Sequence, residues 1–256
     1  MLMSSSFVNE INIEASDGLI GVIKDVLFDD ATWLIRWLVV DTGDFLQERR
    51  VLLPPSVVVD ADCPAKKFSV SLSKQQVKNS PDTDTAKPVS RQMEANLYDH
   101  YDHDPYWAKG LYMAGYGFSG GVLAPPLSLG TMRRSREQAQ SLPRDGDPRL
   151  RSMHEVTGYH IHARDGEIGH VDDFLLEDSD WSVHYLVIDT KNWWPGKKVL
   201  ISPLSIRTTD WARRSVNLDI DRAGVRGGPA FDTSTTIDRA YEAEFHKYYA
   251  GLKQRA

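Results

Sequence analysis

The sequence predicts an all-β-dominated protein: two small β-barrels forming an internal pseudo-dimer, each followed by a short C-terminal helix, with an irregular connector between them. Three observations lead there. The chain repeats itself, Asp-Gly turn signals recur inside alternating runs, and one strand of each copy is apolar on both faces. The repeat weighs most, because a missed duplication miscasts a whole fold. Ile13-Glu14-Ala15-Ser16-Asp17-Gly18-Leu19-Ile20-Gly21 aligns with Ile161-His162-Ala163-Arg164-Asp165-Gly166-Glu167-Ile168-Gly169, a spacing of 148 residues (161 − 13). The same spacing pairs Trp33 with Trp181, Leu38-Val39-Val40-Asp41-Thr42 with Leu186-Val187-Ile188-Asp189-Thr190, and Val51-Leu52-Leu53 with Val199-Leu200-Ile201. It still holds at Arg91, Glu94 and Ala95 with Arg239, Glu242 and Ala243, and at Tyr101 with Tyr249.

The elements follow in order. Ile11, Ile13 and Ala15 alternate with Asn12, Glu14 and Ser16, and Tyr159, Ile161 and Ala163 with His160, His162 and Arg164. Period-two alternation marks a strand with one buried face. Asp17-Gly18 and Asp165-Gly166 come next; Asp-Gly suits the positive φ of a tight hairpin turn. Further strands are expected near residues 20–28, 33–41, 49–54 and 67–72 and at the equivalent places in the second copy. Closing such strands into a barrel removes exposed edges in so short a domain. The strand over 33–41 and its counterpart over 181–189 need an outer cover, since neither has a polar face. The other copy is the natural candidate, because a duplicated domain inherits the self-complementary surface of a homodimer. Each copy then ends in a helix: Ser90 precedes the segment 91–101, and Thr235 with Asp238 has capping-box spacing ahead of 239–252.

These readings divide the chain into a first barrel plus helix over 8–101, a connector over 102–158, and a second barrel plus helix over 159–252. The connector is rich in Gly, Pro and Arg, with Gly120-Gly121, Pro125-Pro126 and arginines from Arg133 to Arg151. Such composition reads as linker or irregular cover. Its aromatic start, with Tyr106, Trp107, Tyr112 and Tyr116, is expected on a domain surface, and the part after Pro125 is expected to be mobile.

Composition narrows the function classes. Hydrophobic residues at 41% and charged residues at 26% are ordinary for a folded chain. A net charge of −6 lacks the basic footprint that a phosphate backbone requires. Cys63 is the single cysteine, which excludes an intrachain disulfide and a cysteine zinc cage. Residues 1–6 carry neither the basic start nor the apolar core of a secretory signal. The longest apolar stretch, Trp33 to Val40, is interrupted by Arg36 and falls well short of the ~20 residues of a spanning helix. A cytoplasmic location without a transmembrane segment is the expectation.

The unit with Asp17-Gly18-Leu19-Ile20-Gly21-Val22-Ile23-Lys24-Asp25, then Trp37-Leu38-Val39-Val40-Asp41, then Arg50-Val51-Leu52-Leu53-Pro54, resembles the PRC-barrel family. The second copy, through Asp165 to Asp173, Tyr185 to Asp189 and Lys198 to Pro203, looks like the same family. That family is a small β-barrel found in the cytoplasmic part of the photosynthetic reaction-centre H subunit and at the C-terminus of a ribosome maturation factor. The resemblance implies a docking module, with no shared catalytic motif to carry over. It leaves 102–158 unexplained, and the chain has neither the anchor of the one nor the extra N-terminal domain of the other.

Several patterns that resemble reactive sites favour packing. Gly117-Phe118-Ser119-Gly120-Gly121 matches a nucleophile elbow, but in a Gly- and Pro-rich connector rather than between a strand and a helix. The overlapping run from Gly115 to Gly120 spells a dinucleotide fingerprint without its βαβ frame. His100, Asp102, His103 and Asp104 read as a solvated helix end, and His160 and His162 as outward strand residues, rather than as metal ligands. The shared acids Asp25, Asp173, Asp41 and Asp189 suit turn-fixing hydrogen bonds, and Trp33 and Trp181 suit packing. The spread arginines 133, 134, 136, 144, 149 and 151 read as a solvated linker.

No catalytic residue, cofactor or metal is assigned. The candidate interface is a pair of apolar turns, Trp193-Trp194 in the second copy and Phe45-Leu46 in the first; tryptophan is enriched at interface hot spots. The expected function is a non-enzymatic protein-interaction or assembly module with an unknown protein partner. The alternative is an accessory factor docking on ribosomal, photosynthetic or membrane-associated complexes; an enzyme or metal-binding protein ranks third.

Overall fold

A computed structural model describes residues 1–46, 49–81, 91–102, 149–190, 197–229, 231, 237 and 239–253. In chain order they form β1 (Leu2–Ser4), α1 (Ser5–Val8), β2 (Asn12–Ala15), β3 (Gly18–Asp29), β4 (Ile35–Asp41), β5 (Arg50–Leu53), β6 (Val58–Asp62) and β7 (Lys67–Val70). Next come α2 (Lys74–Lys78), α3 (Arg91–His100), β8 (Leu150–Ser152), α4 (Met153–Val156), β9 (His160–Ala163) and β10 (Gly166–Glu177). The rest are β11 (Ser182–Asp189), β12 (Lys198–Ile201), β13 (Ile206–Asp210), β14 (Ser215–Leu218), α5 (Arg222–Arg226) and α6 (Arg239–Lys253).

The protein is mostly β, with two seven-stranded sheets of the same topology. One runs β5-β4-β3-β2-β7-β6 with β8 added on β3, and the other β12-β11-β10-β9-β14-β13 with β1 added on β10. This is the architecture that the internal repeat predicts for two barrel-like units. The equivalence reaches further upstream than the sequence reading took it. Leu2, Ser4 and Val8 stand 148 residues before Leu150, Ser152 and Val156, so β1 and α1 match β8 and α4. Each repeat's leading strand joins the sheet of the other repeat.

One compact unit comprises Asn9–Asp30 and Arg36–Leu150. In β2 Ile13 and Ala15 are buried while Asn12 and Glu14 are partly exposed, as the alternation predicts. β2 pairs antiparallel with β3 and parallel with β7. The hairpin differs from expectation by one residue. Ala15 faces Gly18, so Ser16 and Asp17 form the two-residue loop, and Gly18 (φ +126°) opens β3. The freed Asp17 carboxylate accepts the Lys74 N–H at 2.7 Å, at the first residue of α2. Capping accounts for α2 itself: the Ser73 hydroxyl accepts from the Gln76 N–H, and the Gln76 side chain accepts from the Ser73 N–H. In β4, Arg36 through Val40 are buried. Within this unit α3 covers β4, where the Trp37 and Tyr98 rings lie 4.7 Å apart; the sequence reading assigns that cover to the other copy.

The other unit comprises Met1–Val8, Ala31–Ile35 and Arg151–Ala256. β1 runs antiparallel along β10, with Met3 opposite Leu176, and both side chains are buried. The segment Ala31–Ile35 meets the β10–β11 turn in an antiparallel bridge between Leu34 and Ser182. Its flanking hydrogen bonds run from Ile35 N–H to the Trp181 carbonyl at 2.8 Å and from Val183 N–H to the Trp33 carbonyl at 2.9 Å. Both strands expected to start at a tryptophan therefore start two and one residues later, at Ile35 and Ser182. Trp33 (φ +60°) and Trp181 (φ +53°) take left-handed turn conformations instead. α6 lays Phe245 against Tyr185 (4.8 Å) and Tyr249 (4.4 Å), covering β11 as α3 covers β4. Among the described residues, no helix is long and apolar enough to cross a membrane.

Candidate functional site

The first predicted interface turn lies in a 3-10 segment, Gly43–Leu46, between β4 and β5. Its geometry comes from the two residues ahead of it. The Asp41 carboxylate accepts the Gly43 N–H at 3.0 Å, an Asx turn, while the Thr42 hydroxyl donates to the Arg49 carbonyl at 2.6 Å and closes the loop. Arg49 in turn donates to the Lys78, Ser80 and Pro81 carbonyls, tying the loop base to the chain beyond α2. Phe45 and Leu46 are half-buried, and the Lys74 ammonium sits 4.4 Å from the Phe45 ring centroid. Phe45 thus presents one face already occupied by a cation. Trp193 and Trp194 lie outside the described residues, but the frame of their turn repeats the first: the Thr190 hydroxyl donates to the Lys197 carbonyl at 2.6 Å.

The acids and glycines shared by both copies belong to this frame. Gly21 and Gly169 sit where a Cβ would come within 2.0 Å of the Asp41 carbonyl oxygen and 1.9 Å of that of Asp189. A bulge puts them there: the register slips between Ile13 and Glu14 opposite β3, and between Glu167 and Gly169 opposite β9. The extra residues, Ile20 and Ile168, point into the core. The recurring Asp-Gly-x-Ile-Gly is thus a turn, a buried bulge and a close approach in sequence. Asp25 and Asp173 accept the N–H of the next residue, Val26 and Phe174, at 2.8 and 2.7 Å. Asp173 also accepts from the Ser5 hydroxyl and from the Ser6 N–H and hydroxyl, holding α1 in place.

Sequence reasoning treated Arg36 only as an interruption. Its side chain is buried to 1% exposure and lies 3.3 Å from Asp29, with its other guanidinium nitrogen on Glu94 of α3. Glu94 also accepts the Trp37 indole N–H at 2.6 Å. A lone arginine inside an apolar strand, with a glutamate on the following helix, was the available signal. In the second repeat the equivalent positions hold His184, Glu242 and Tyr185. His184 is 30% exposed, 3.6 Å from Glu242 and 3.8 Å from Asp180. A buried permanent charge in one copy is a partly solvated imidazole in the other.

The remaining candidates separate. His160 is exposed and pairs with Glu167 at 2.9 Å, and His100 bonds the Gln76 carbonyl at 2.7 Å. Among the described residues no group of three or more His, Cys, Asp and Glu is arranged to hold a metal. His103, Asp104, Ser119, the Gly115–Gly120 run and the arginines 133, 134, 136 and 144 lie outside the described residues, as does most of the 102–158 connector. Burial pushes the phenol of Tyr101 up to about 12, against the opposing pull of Ser80 and Arg49. Tyr241 is likewise raised to about 12 by burial and Glu244, and Tyr185 and Tyr249 are raised by burial too.

Residues 13–70 match the PRC-barrel domain. The match spans β2 through β7, including the Asp-Gly-x-Ile-Gly bulge and the Asp41-Thr42 turn. The second PRC-like copy rests on the 148-residue repeat and on the identical strand order of its sheet. No curated protein matches the chain.

Proposed function

We propose that the protein is a non-enzymatic docking or assembly module built on a PRC-barrel domain and its internal copy, with a protein as its partner. One observation carries the reading: at the turns and strand bulges that both copies share, the polar side chains hold the backbone. Asp41, Thr42, Thr190, Asp25 and Asp173 each bond a main-chain group at a turn or a strand bulge. What the two copies have in common is therefore architecture, while the turn between the fourth and fifth strands varies, from Phe45-Leu46 to Trp193-Trp194. A fixed frame with a variable apolar tip is how loops on a rigid scaffold take on recognition. A cytoplasmic setting goes with this reading.

The test is co-purification of the tagged full-length protein from its native extract at low and moderate salt. A stoichiometric protein that survives moderate salt, and is lost from the Phe45→Ser/Leu46→Ser or Trp193→Ala/Trp194→Ala variants, supports the reading. Retention of that protein by both variants removes the two turns from the interface. Recovery of ribosomal or membrane-complex components at low salt only favours the accessory-factor alternative.

A further inference from the structure

In the second-repeat unit, three histidines share the outer face of the β9–β10 hairpin. His160 and His162 stand two apart on β9, alternating with the buried Ile161 and Ala163. His170 on β10 lies directly opposite His160, and Glu167 opposite His162. Residues facing each other across antiparallel strands point to the same side, so the four side chains leave the sheet together, and all are at least partly exposed. The register also sets the distance. The His160 N–H is spent on the Arg214 carbonyl, at the edge of β9 that faces β14 and not β10, so His160 and His170 form a pair without hydrogen bonds between its members. Such pairs bring their Cα atoms to about 4.5 Å, the closer of the two spacings in an antiparallel ladder. At the equivalent positions the first repeat has Asn12, Glu14, Val22 and Leu19, with Asn12 opposite Val22 and Glu14 opposite Leu19. The hairpin therefore forms without these histidines. His170, ten residues further on, is what a reading of His160 and His162 along the sequence lacks.

We propose that this face binds a divalent transition-metal ion such as zinc, with the imidazoles of His160, His162 and His170 as ligands and Glu167 as the carboxylate that orients His160. Two observations beyond the number of histidines point there. His160 Nδ1 lies 2.9 Å from Glu167 Oε1; an ionised carboxylate only accepts, so Nδ1 carries the hydrogen and Nε2 keeps its lone pair. A ring held by a carboxylate at one nitrogen and bare at the other is the state in which metal-bound histidines are oriented. His162 and His170 form no hydrogen bond or ion pair among the described residues, so no contact breaks when their rings turn toward His160. The three do not converge as they stand, and bringing them together takes rotation of partly exposed side chains alone, which costs rotamer freedom and no packing. Three imidazoles and a water fill a tetrahedral zinc shell. Nitrogen ligands select such ions over magnesium and calcium, which take oxygen.

Calorimetric titration of the tag-free full-length protein with zinc chloride tests the proposal, with magnesium chloride as the comparison. One equivalent of zinc is expected to bind saturably, and magnesium is not. His160→Asn and His170→Val install the first repeat's residues and should each weaken zinc binding at least about tenfold; Glu167→Leu should cost about tenfold through the lost hold on His160. Because the first repeat's hairpin forms with these same residues, the variants should unfold at the wild-type temperature in the absence of metal, which separates a lost ligand from a lost fold. His184→Ala, at the other histidine set between carboxylates, should leave zinc binding unchanged. Absence of saturable zinc binding, equal affinity in wild type and His170→Val, or magnesium binding of the same strength overturns the proposal. Neither apolar turn takes part, so co-purification of a partner through those turns stands or falls separately.

Discussion

Trp33 and Trp181 hold each other's strands: the carbonyl of each accepts a hydrogen bond from the residue two positions beyond the other, Val183 and Ile35, at 2.9 and 2.8 Å. The two occupy the same position in their repeats and share a left-handed φ. Exchanging the copies maps one bond onto the other. Both bonds lie within the second-repeat unit, to which the segment Ala31–Ile35 belongs.

Gly21→Ala and Gly169→Ala should each destabilise by more than about 2 kcal/mol, because the new methyl meets the Asp41 or Asp189 carbonyl, a backbone atom with no side-chain freedom to yield. Gly43→Ala is the control. Gly43 has φ +49° but nothing within 4 Å of an added Cβ, so only the backbone penalty of about 1 kcal/mol applies. Urea midpoints of the three variants give the ranking directly.

Glu94→Ala should cost about 3–5 kcal/mol, since it removes the buried carboxylate that the Arg36 guanidinium and the Trp37 indole N–H share. The equivalent Glu242→Ala faces a partly exposed histidine and should cost less than about 1 kcal/mol. Similar losses in both variants, measured by thermal unfolding, would contradict the burial argument.

Asp173→Ala removes the acceptor for Ser5 and Ser6. The arm Met1–Val8 is then expected to exchange its amide protons faster and to be cut more readily near Phe7, with a stability loss of about 1–2 kcal/mol. Hydrogen exchange of the β1 amides checks this without requiring global unfolding.

Alkaline pH should unfold the protein. The phenols of Tyr101 and Tyr241 are raised from 10.0 to about 12 in the folded chain, so between these values the unfolded state releases protons that the native state retains. Stability is intact below pH 10 and falls as pH rises toward 12, by about 1.4 kcal/mol per pH unit for the buried Tyr101 and by less for the half-buried Tyr241, where solvent screens the shift. Tyr101→Phe should flatten that slope, visible in melting temperatures recorded from pH 9 to 12.

Much of the fold was legible because alternation and repetition are strong signals. Ile13 and Ala15, or Ile161 and Ala163, declare their buried face by period two, and β3, β4, β5 and β7 fall where apolar runs predict. β6 escaped notice because an outer strand with Asp60 and Asp62 has no apolar stripe to read. β1 and β8 were missed because three-residue strands have no period, although Leu2, Ser4 and Val8 already matched Leu150, Ser152 and Val156. The hairpin loop shifted by one because Asp17 was needed at α2, a contact 57 residues away that no local rule contains. Of the candidate site, the Phe45-Leu46 turn could be found from composition. The hold of Asp173 on Ser5 and Ser6 could not, since it joins residues 168 and 167 apart in sequence.

The exchanged leading strands impose an order on synthesis. Leu2 pairs with Glu177, so β1 leaves the ribosome about 175 residues before its partner does, a wait on the order of ten to thirty-five seconds at typical elongation rates. A segment made long before its partner is among the last to be seated. Until residues 150–152 are made β3 lacks β8, so the nascent first half carries a bare strand edge as well as a stray arm, and a ribosome stalled between the repeats would release a fragment prone to pair with its own kind.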